Sequence, residues 1–271
     1  MSDKIAIVFD FDDTLAPDTT SGLLRMLGLE PEKFWKEEVD PLLQMDWDPV
    51  PAYLYALWHC SDSGSCEPIT REIFVRAGLQ AAIYPGVERL LTDLQELVKA
   101  TDARFSLEYY VVSSGIGEIL RNTSLAGRFT DLWASEFHYD AAGKILFPRK
   151  VISFTDKTRY LFQISKGICG PESRRDPFEV NKRVHEDHLR IPLSNFIYLG
   201  DGYTDIPCFS LLRKNGGIPI AVYDKNNRLK KEKAWKFVKD QRVMNLHSAD
   251  YSPDSDLCNT LEMAVKDIMS R

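Results

Sequence analysis

The sequence lacks the features that would place it in a membrane or on a nucleic acid. No stretch approaches the roughly 20 consecutive apolar residues of a membrane-spanning helix. Acidic residues interrupt the first apolar run at once, which is unlike a signal peptide. The formal net charge is -6, so we expect no basic face for gripping nucleic-acid phosphates. The one basic run, 228–239, alternates with apolar residues and predicts a solvated helix face.

The cysteines indicate neither a disulfide framework nor a zinc site. Their number is odd and none forms a CxxC pair; they are Cys60, Cys66, Cys169, Cys208 and Cys258. We therefore expect free thiols in a reducing compartment and a cytoplasmic protein. No cysteine lies beside an evident activating partner, which argues against a catalytic thiol. Internal repeats and low-complexity tracts are also missing, so 271 residues predict one large or two small globular domains.

Short apolar runs alternate with helical patterns along most of the chain. The runs at 5–9, 109–112, 196–199 and 218–222 suit strands that are buried on both faces. Between them, segments such as 86–99 have apolar residues at helical spacing. This alternation predicts an α/β fold with a doubly wound, mostly parallel, Rossmann-like sheet. Ligands bind outside the carboxyl ends of such strands, so the polar residues that follow each run are the candidate site.

One segment without strand signals interrupts this pattern. It predicts four helices, at about 20–28, 31–44, 50–60 and 69–82. We interpret 16–84 as an all-helical cap domain, inserted into a core formed by 1–15 and 85–271.

Two further irregularities lie in the second half of the chain. Ala141–Lys144 separate two strand-like segments and predict a β-hairpin. The charged insertion 170–192 shows no clear pattern beyond a short helix near 178–190.

Clustered acids follow two of the buried runs. Asp10, Asp12 and Asp13 crowd together after the first run, and like charges this close raise one another's pKa unless a cation is present. Asp10 and Asp12 are two apart in an extended segment, so their side chains point the same way. After the run 196–199, Asp201 and Asp205 lie one helical turn apart and can face one ion. Hard oxygen ligands at strand ends suit Mg2+.

Two weaker signals lie between these acid clusters. Ser113, Ser114 and Gly115 follow the run 109–112, where a hydroxyl and backbone N–H groups can hold a phosphate. Lys157 opens a predicted helix, where its charge opposes the helix dipole. Taken singly, the first is more typical of an ordinary turn and the second of a solvated lysine.

Together the four motifs, in this order, resemble the haloacid dehalogenase superfamily of phosphohydrolases. The predicted cap and hairpin resemble the branch that includes phosphoserine phosphatase. The resemblance implies a role for each matched residue. Asp10 would be the nucleophile and Asp12 the general acid and base. Ser113, Ser114, Gly115 and Lys157 would hold the phosphoryl group. The metal ligands would be Asp10, Asp12 through its carbonyl, Asp201 and Asp205, with Mg2+ as the cofactor.

The sequence departs from that family in the spacing of the lysine. Lys157 precedes Asp201 by 44 residues, which is long, so Lys150, Lys166 and Lys182 remain alternatives. The cap residues that grip phosphoserine in that branch have no evident match here. The expected function is Mg2+-dependent hydrolysis of a small phosphorylated metabolite through an aspartyl-phosphate. A phosphotransferase and a catalytically idle binding protein on the same fold remain alternatives.

The predicted cap is the only guide to the substrate. Its aromatic residues are expected to fill a small helical core, and an aromatic wall for a ring-bearing substrate is the alternative. These residues are Phe34, Trp35, Trp47, Tyr53, Tyr55 and Trp58. Arg25, Arg71 and Arg76 are candidates to clamp a second anionic group of the substrate, or are solvated surface arginines. No sequence feature indicates a nucleic-acid partner, a membrane or a particular oligomeric state.

Overall fold

The computed structural model describes residues 3–225 and 227–271. Residues 1, 2 and 226, which the predicted core includes, lie outside the described residues. The strands are β1 (Asp3–Phe9), β2 (Phe105–Ile116), β3 (Asp131–Tyr139), β4 (Ile145–Lys150), β5 (Phe196–Gly200), β6 (Ile218–Tyr223) and β7 (Asn245–Ser248). They form one sheet in the order β4-β3-β2-β1-β5-β6-β7. Only the β3–β4 pair is antiparallel among the described strands, so the predicted doubly wound, mostly parallel sheet is confirmed.

Strand β1 lies at the centre of the sheet because it is apolar on both faces. Ile5–Phe9 are fully buried. The chain places β2 and β3 on one side of β1, and later places β5, β6 and β7 on the other side. The sheet therefore reverses its strand order next to β1, and the carboxyl ends of β1 and β5 are neighbours. Such a switch point is where ligands bind in open α/β sheets.

Helices cover both faces of the sheet. They are α1 (Thr19–Met26), α2 (Pro31–Phe34), α3 (Asp40–Gln44), α4 (Pro49–Ser63), α5 (Arg71–Gln80), α6 (Val87–Thr101), α7 (Gly117–Leu120), α8 (Asp156–Lys166), α9 (Ile206–Lys214), α10 (Arg228–Lys239) and α11 (Asp256–Met269). Residues of α6 and α11 pack with Ile5, Ile7 and Phe9 on one face. Residues of α8, α9 and α10 pack with Ala6 and Val8 on the other. Among the described residues, none of these helices combines the length and apolar character needed to cross a membrane.

The segment between β1 and α6 contains the five helices α1 to α5 and no strand among its residues. Its buried apolar side chains belong to the same cluster as those on one face of the sheet. A π-helical turn, Trp35–Val39, joins α2 to α3. Pro41 follows this turn and has no N–H to donate, which accounts for the irregular hydrogen bonding.

The helical segment is tied to the hairpin formed by β3 and β4. The N–H of Ile145 donates to Ile69 at 3.0 Å, and the N–H of Arg71 donates to Gly143 at 2.9 Å. Thr70 has an extended backbone between these two contacts, so α5 begins at Arg71 and not at 69 as predicted. The predicted hairpin around Ala141–Lys144 is confirmed.

The predicted helix near 178–190 is wrong. The segment has two short 3-10 turns, Glu179–Asn181 and Glu186–His188. The Lys166 ammonium donates to the carbonyls of Val180 at 2.6 Å and Lys182 at 2.7 Å. These carbonyls therefore accept from a side chain of α8. In an α-helix they would instead accept from backbone N–H groups of the same helix.

Candidate active site

Asp10 lies where the carboxyl ends of β1 and β5 meet. It directly follows β1, and its N–H donates to the Leu199 carbonyl of β5 at 2.8 Å. The side chain is buried, and its Oδ1 accepts from the Phe11 N–H at 2.8 Å. Burial raises the pKa of Asp10 to about 6, although the nearby Lys157 opposes the shift. An ionised carboxylate at this position therefore depends on positive charge beside it.

Lys157 supplies part of that charge. It lies in the first turn of α8 and is fully buried. Its Nζ is 3.0 Å from Asp10 Oδ2 and 2.7 Å from Asp205 Oδ1. Burial alone would lower the pKa of Lys157, but the two carboxylates raise it above its usual value. The ammonium is therefore charged and fixed against Asp10.

Asp205 has its oxygens engaged by protein donors. Oδ1 accepts from Lys157 and, at 2.7 Å, from the Tyr198 hydroxyl, while Oδ2 accepts from the Gly202 N–H at 2.9 Å. A Cβ at Gly200 would lie 2.4 Å from the Asp205 carboxyl carbon, so only glycine leaves room for this arrangement. Asp205 is thus placed to position Lys157.

Three carboxylates could hold a metal ion. Oxygens of Asp10, Asp201 and Asp205 lie within 4.8 Å of one another. Burial raises the pKa of Asp201 well above its usual value, and Asp10 and Asp205 raise it further. The Lys157 ammonium neutralises only one of the three carboxylates when all are ionised, so the cluster carries excess negative charge. This donor set of hard oxygens fits a divalent cation such as Mg2+.

Asp12 faces a different part of the site. Its Oδ1 accepts from the Thr19 N–H at 2.8 Å, at the start of α1. A Cβ at Gly115 would lie 2.5 Å from Asp12 Oδ2 and 3.2 Å from Ser113 Oγ, so glycine lets these two side chains approach each other. Burial raises the pKa of Asp12 to about 8, and the charge of Asp18 adds to the shift. The Asp12 side chain is therefore suited to exchange a proton near neutral pH.

Protein stripped of divalent cations should lose stability as the pH rises from about 5 to about 8. The raised pKa values of Asp10 and Asp12 mean that the folded chain holds protons that the unfolded chain has released over this range. Raising the pH removes those protons and leaves buried charges. Melting temperatures measured in EDTA across this range test the prediction. Asp12→Asn should flatten the slope, and a melting temperature that rises with pH in the wild type would contradict it.

The serine segment lies inside β2, whereas the sequence placed it after the strand. Ser113 is buried, and its Oγ accepts from the Gly115 N–H at 3.0 Å. The Ser114 carbonyl accepts from the Tyr53 hydroxyl at 2.6 Å and from Ser135 Oγ at 3.1 Å. A helix of the predicted cap therefore contacts the backbone of this segment directly.

The alternative lysines lie in other surroundings. Lys150 Nζ is 3.4 Å from Glu136, and Lys182 Nζ is 3.8 Å from Asp176. Lys166 donates to backbone carbonyls of the charged insertion. Of the four lysines, Lys157 is the one whose ammonium contacts Asp10.

The arginines of the predicted cap are also engaged in part. Arg71 Nε is 3.2 Å from Glu118, and Arg76 is 3.8 Å from Glu67. Arg25 lines a cavity of about 460 Å³ together with Asp18 and Thr19.

The cap aromatics divide into two groups. Phe34 and Tyr53 are buried and the half-buried Trp35 packs against the same cluster, as expected of a helical core. Trp47, Tyr55 and Trp58 line an apolar groove of about 720 Å³ between α4 and the segment that includes β4.

Two contacts at the site had no place in the sequence prediction. Tyr198 carries the one hydroxyl in the apolar run 196–199, and a buried tyrosine needs a partner for its hydroxyl. That requirement could have indicated Asp205. Lys230 belongs to the basic run that was predicted to be solvated, yet its Nζ is 2.5 Å from Asp13 Oδ2. Asp13 adopts φ 58°, which turns the chain sharply after β1 and directs this side chain towards α10.

Comparison with curated proteins gives one relative of similar length. An uncharacterized protein of Borreliella burgdorferi is 26% identical over an alignment of 281 positions, which covers 94% of each chain. No model of a known protein family matches the sequence.

Comparison with solved structures identifies the fold. A substrate-bound phosphoserine phosphatase superposes with a TM-score of 0.58 at 18% identity, covering 97% of this chain and 99% of that one. A probable phosphoserine phosphatase from Vibrio cholerae gives 0.60 at 12% identity, covering 98% of this chain and 66% of that one. A HAD family hydrolase from Salmonella enterica serovar Typhi gives 0.57 at 14% identity, covering 89% and 66%. The chain spans just under two thirds of the last two proteins. Its fold is that of the haloacid dehalogenase hydrolases, as the motifs predicted.

Proposed function

We propose that this protein is a Mg2+-dependent phosphomonoester hydrolase with Asp10 as its nucleophile. The observation that carries the proposal is the position of the Asp10 carboxylate. It lies at the sheet switch point, 3.0 Å from a buried ammonium and within 4.8 Å of two further carboxylates. Phosphoryl transfer needs a positioned nucleophile and positive charge around the phosphate oxygens. The fold shared with phosphoserine phosphatases supports the same class of reaction.

In the proposed first step, one carboxylate oxygen of Asp10 attacks phosphorus. The bond between phosphorus and the ester oxygen breaks, and the alcohol leaves. An aspartyl-phosphate forms on Asp10. Lys157 keeps Asp10 ionised and offers charge to the phosphate oxygens. Ser113, with the backbone N–H groups that follow, would hold the phosphoryl group. When bound by Asp10, Asp201 and the Asp12 carbonyl, Mg2+ would neutralise charge that otherwise repels the substrate.

Asp12 is proposed as the general acid and base. Its pKa of about 8 keeps it protonated near neutral pH before substrate arrives, so it can donate a proton to the departing alcohol. Once ionised, it can accept a proton from the water that hydrolyses the aspartyl-phosphate. Its hydrogen bond from the Thr19 N–H orients the carboxyl group and favours the ionised form.

The helical segment 16–84 is proposed to act as a cap that admits small substrates. Its helix α4 contacts the phosphate-binding segment through Tyr53 and Ser114. A cover in this position excludes water during the reaction and disfavours large phosphoproteins. We therefore propose a small phosphorylated metabolite as the substrate.

Hydrolysis of p-nitrophenyl phosphate by the purified chain tests this function. We expect turnover with Mg2+ and a loss of about 100-fold or more in EDTA, restored by added Mg2+. A panel of phosphorylated metabolites should contain better substrates than any phosphopeptide. Folded protein that turns over no phosphate ester with Mg2+ would favour a binding function on this fold, and a preference for phosphopeptides would contradict the small-molecule proposal.

A further inference from the structure

A second, basic cavity lies away from the acidic site. It has a volume of about 420 Å³, and none of the proposed catalytic residues lines it. Its cationic side chains are Arg71, Arg121, Arg149, Lys150 and Arg174. Its acidic lining residues are Glu118 and Glu136. Five cations therefore face two carboxylates around one small cavity.

The positive charge is not balanced within the cavity wall. Glu136 alone accepts from three cations, namely Arg121 at 3.1 Å, Arg149 at 2.6 Å and Lys150 at 3.4 Å. Burial lowers the pKa of Lys150, and the charges of Arg174 and Arg121 lower it further. Glu136 opposes this shift but does not cancel it. The cations thus repel one another, and an anion in the cavity would relieve this repulsion.

Arg121 has donor capacity that the protein does not use. Its Nη2 donates to Glu136, while its Nη1 is buried and lacks a hydrogen-bond partner among the described residues. A Cβ at Gly117 would lie 2.8 Å from Nη2 and 3.1 Å from Nη1, so the guanidinium rests on the bare backbone of that glycine. A buried polar group without a partner is costly unless a ligand or water completes it.

Four separate segments bring these cations together. Arg71 opens α5 of the proposed cap, and Arg121 follows α7. Arg149 and Lys150 end the β-hairpin. Arg174 comes from the charged insertion, in the 3-10 turn Pro171–Arg175, and is 2.7 Å from Asp131. An anion bound here would link the cap to the core and would give the insertion a function.

We propose that this cavity binds a multivalent oxyanion with the chemistry of a diphosphate group. Planar guanidinium groups match phosphate oxygens in paired hydrogen bonds, and four arginines surround the cavity. The volume lies within the range of about 300–1,000 Å³ that is typical of small-ligand sites. The diphosphate could be free pyrophosphate or part of a nucleotide. The site does not depend on the catalytic role proposed for Asp10.

Isothermal titration of pyrophosphate into the full chain in EDTA tests the site. Without a divalent cation, the carboxylate cluster around Asp10 repels anions, so binding there should not contribute. We expect one pyrophosphate per chain, bound more weakly as salt is raised. The double variant Arg149→Gln, Lys150→Gln should weaken binding about tenfold or more.

A matched control removes the same charge elsewhere. Arg89→Gln with Lys99→Gln on the exposed face of α6 should leave binding within about twofold, since these side chains do not line the cavity. If the cavity double variant does not fold, Arg149→Gln alone serves, because that side chain is 61% exposed. Tighter binding of ADP than of pyrophosphate would show that the cavity recognises a nucleotide. Equal binding of the two would show that it recognises the diphosphate group alone. Absence of pyrophosphate binding to the wild type, or equal binding to the cavity and control variants, would overturn the proposal.

Discussion

Asp10→Asn is expected to lower turnover of phosphate esters by about 10⁴-fold or more, with the fold retained. An amide is a poor nucleophile and cannot form the aspartyl-phosphate. The substitution is nearly isosteric, so Oδ1 can still accept from the Phe11 N–H. Lys157 keeps its ion pair with Asp205, at 2.7 Å, which limits the cost to stability. Steady-state kinetics with Mg2+ and a thermal melt of the same preparation measure both effects.

Asp12→Asn distinguishes the nucleophile from the acid and base. It should lower turnover by about 10²–10⁴-fold, and by less for esters whose leaving group needs no proton. Because Asp10 is intact, the first step can then outrun the second, and the chain should accumulate one phosphoryl group. Intact-protein mass spectrometry after mixing with substrate detects it. Wild-type turnover in both Asp10→Asn and Asp12→Asn would falsify the roles proposed for these two residues. Phosphorylation of the Asp10→Asn variant would show that another residue is the nucleophile.

The candidate site could be predicted where strand ends determine position. Asp10 and Asp201 follow continuous apolar runs, and parallel strands bring their carboxyl ends to one edge of the sheet. The neighbouring places of β1 and β5 therefore bring together carboxylates that are 191 positions apart, from 10 to 201. The apolar pattern of each run therefore predicts its place, because a strand that is apolar on both faces fits only the interior of a sheet that is covered on both sides.

Contacts made by long side chains could not be predicted in the same way. Lys157 and Lys166 lie in the same helix, yet one ammonium reaches Asp10 and the other reaches the carbonyl of Val180. No local pattern distinguishes a lysine that enters the core from one that ties down a loop. The conformation of the insertion 170–192 could not be predicted for the same reason. Its carbonyls at Val180 and Lys182 accept from Lys166, a contact that its own sequence pattern does not indicate.

The basic cavity escaped prediction for a related reason. Its cations come from four segments, and each arginine alone is typical of a solvated surface. The cavity exists because the hairpin pairs with residues 69–71 and because Gly117 leaves room for Arg121. Tertiary pairing decides both, so only the folded chain brings the charges together.

Replacing Lys157 should have the largest effect on stability. Lys157→Met keeps the length of the side chain but removes the charge that lies 3.0 Å from Asp10 and 2.7 Å from Asp205. Two buried carboxylates then lose their counter-charge, and breaking a buried ion pair on one side costs about 3–5 kcal/mol. We expect the free energy of unfolding to fall by this amount at neutral pH, measured by urea denaturation in EDTA. Turnover should be lost as well, because Asp10 would no longer be held ionised.

The matched control is Lys230→Met, which breaks the ion pair with Asp13 at the rim of the site. The Lys230 side chain is 33% exposed, so loss of this ion pair should cost about 1 kcal/mol or less. The pH dependence separates the two cases further. In Lys157→Met the stranded carboxylates should take up protons as the pH falls towards about 5, because burial raises the pKa of Asp10 and Lys157 no longer opposes it. The loss of stability relative to the wild type should therefore shrink at low pH in Lys157→Met, whereas the small loss in Lys230→Met should change little with pH. If both variants unfold at the same urea concentration at every pH, Lys157 is not the counter-charge of the buried carboxylates, and the proposed electrostatics of the Asp10 nucleophile fails with it.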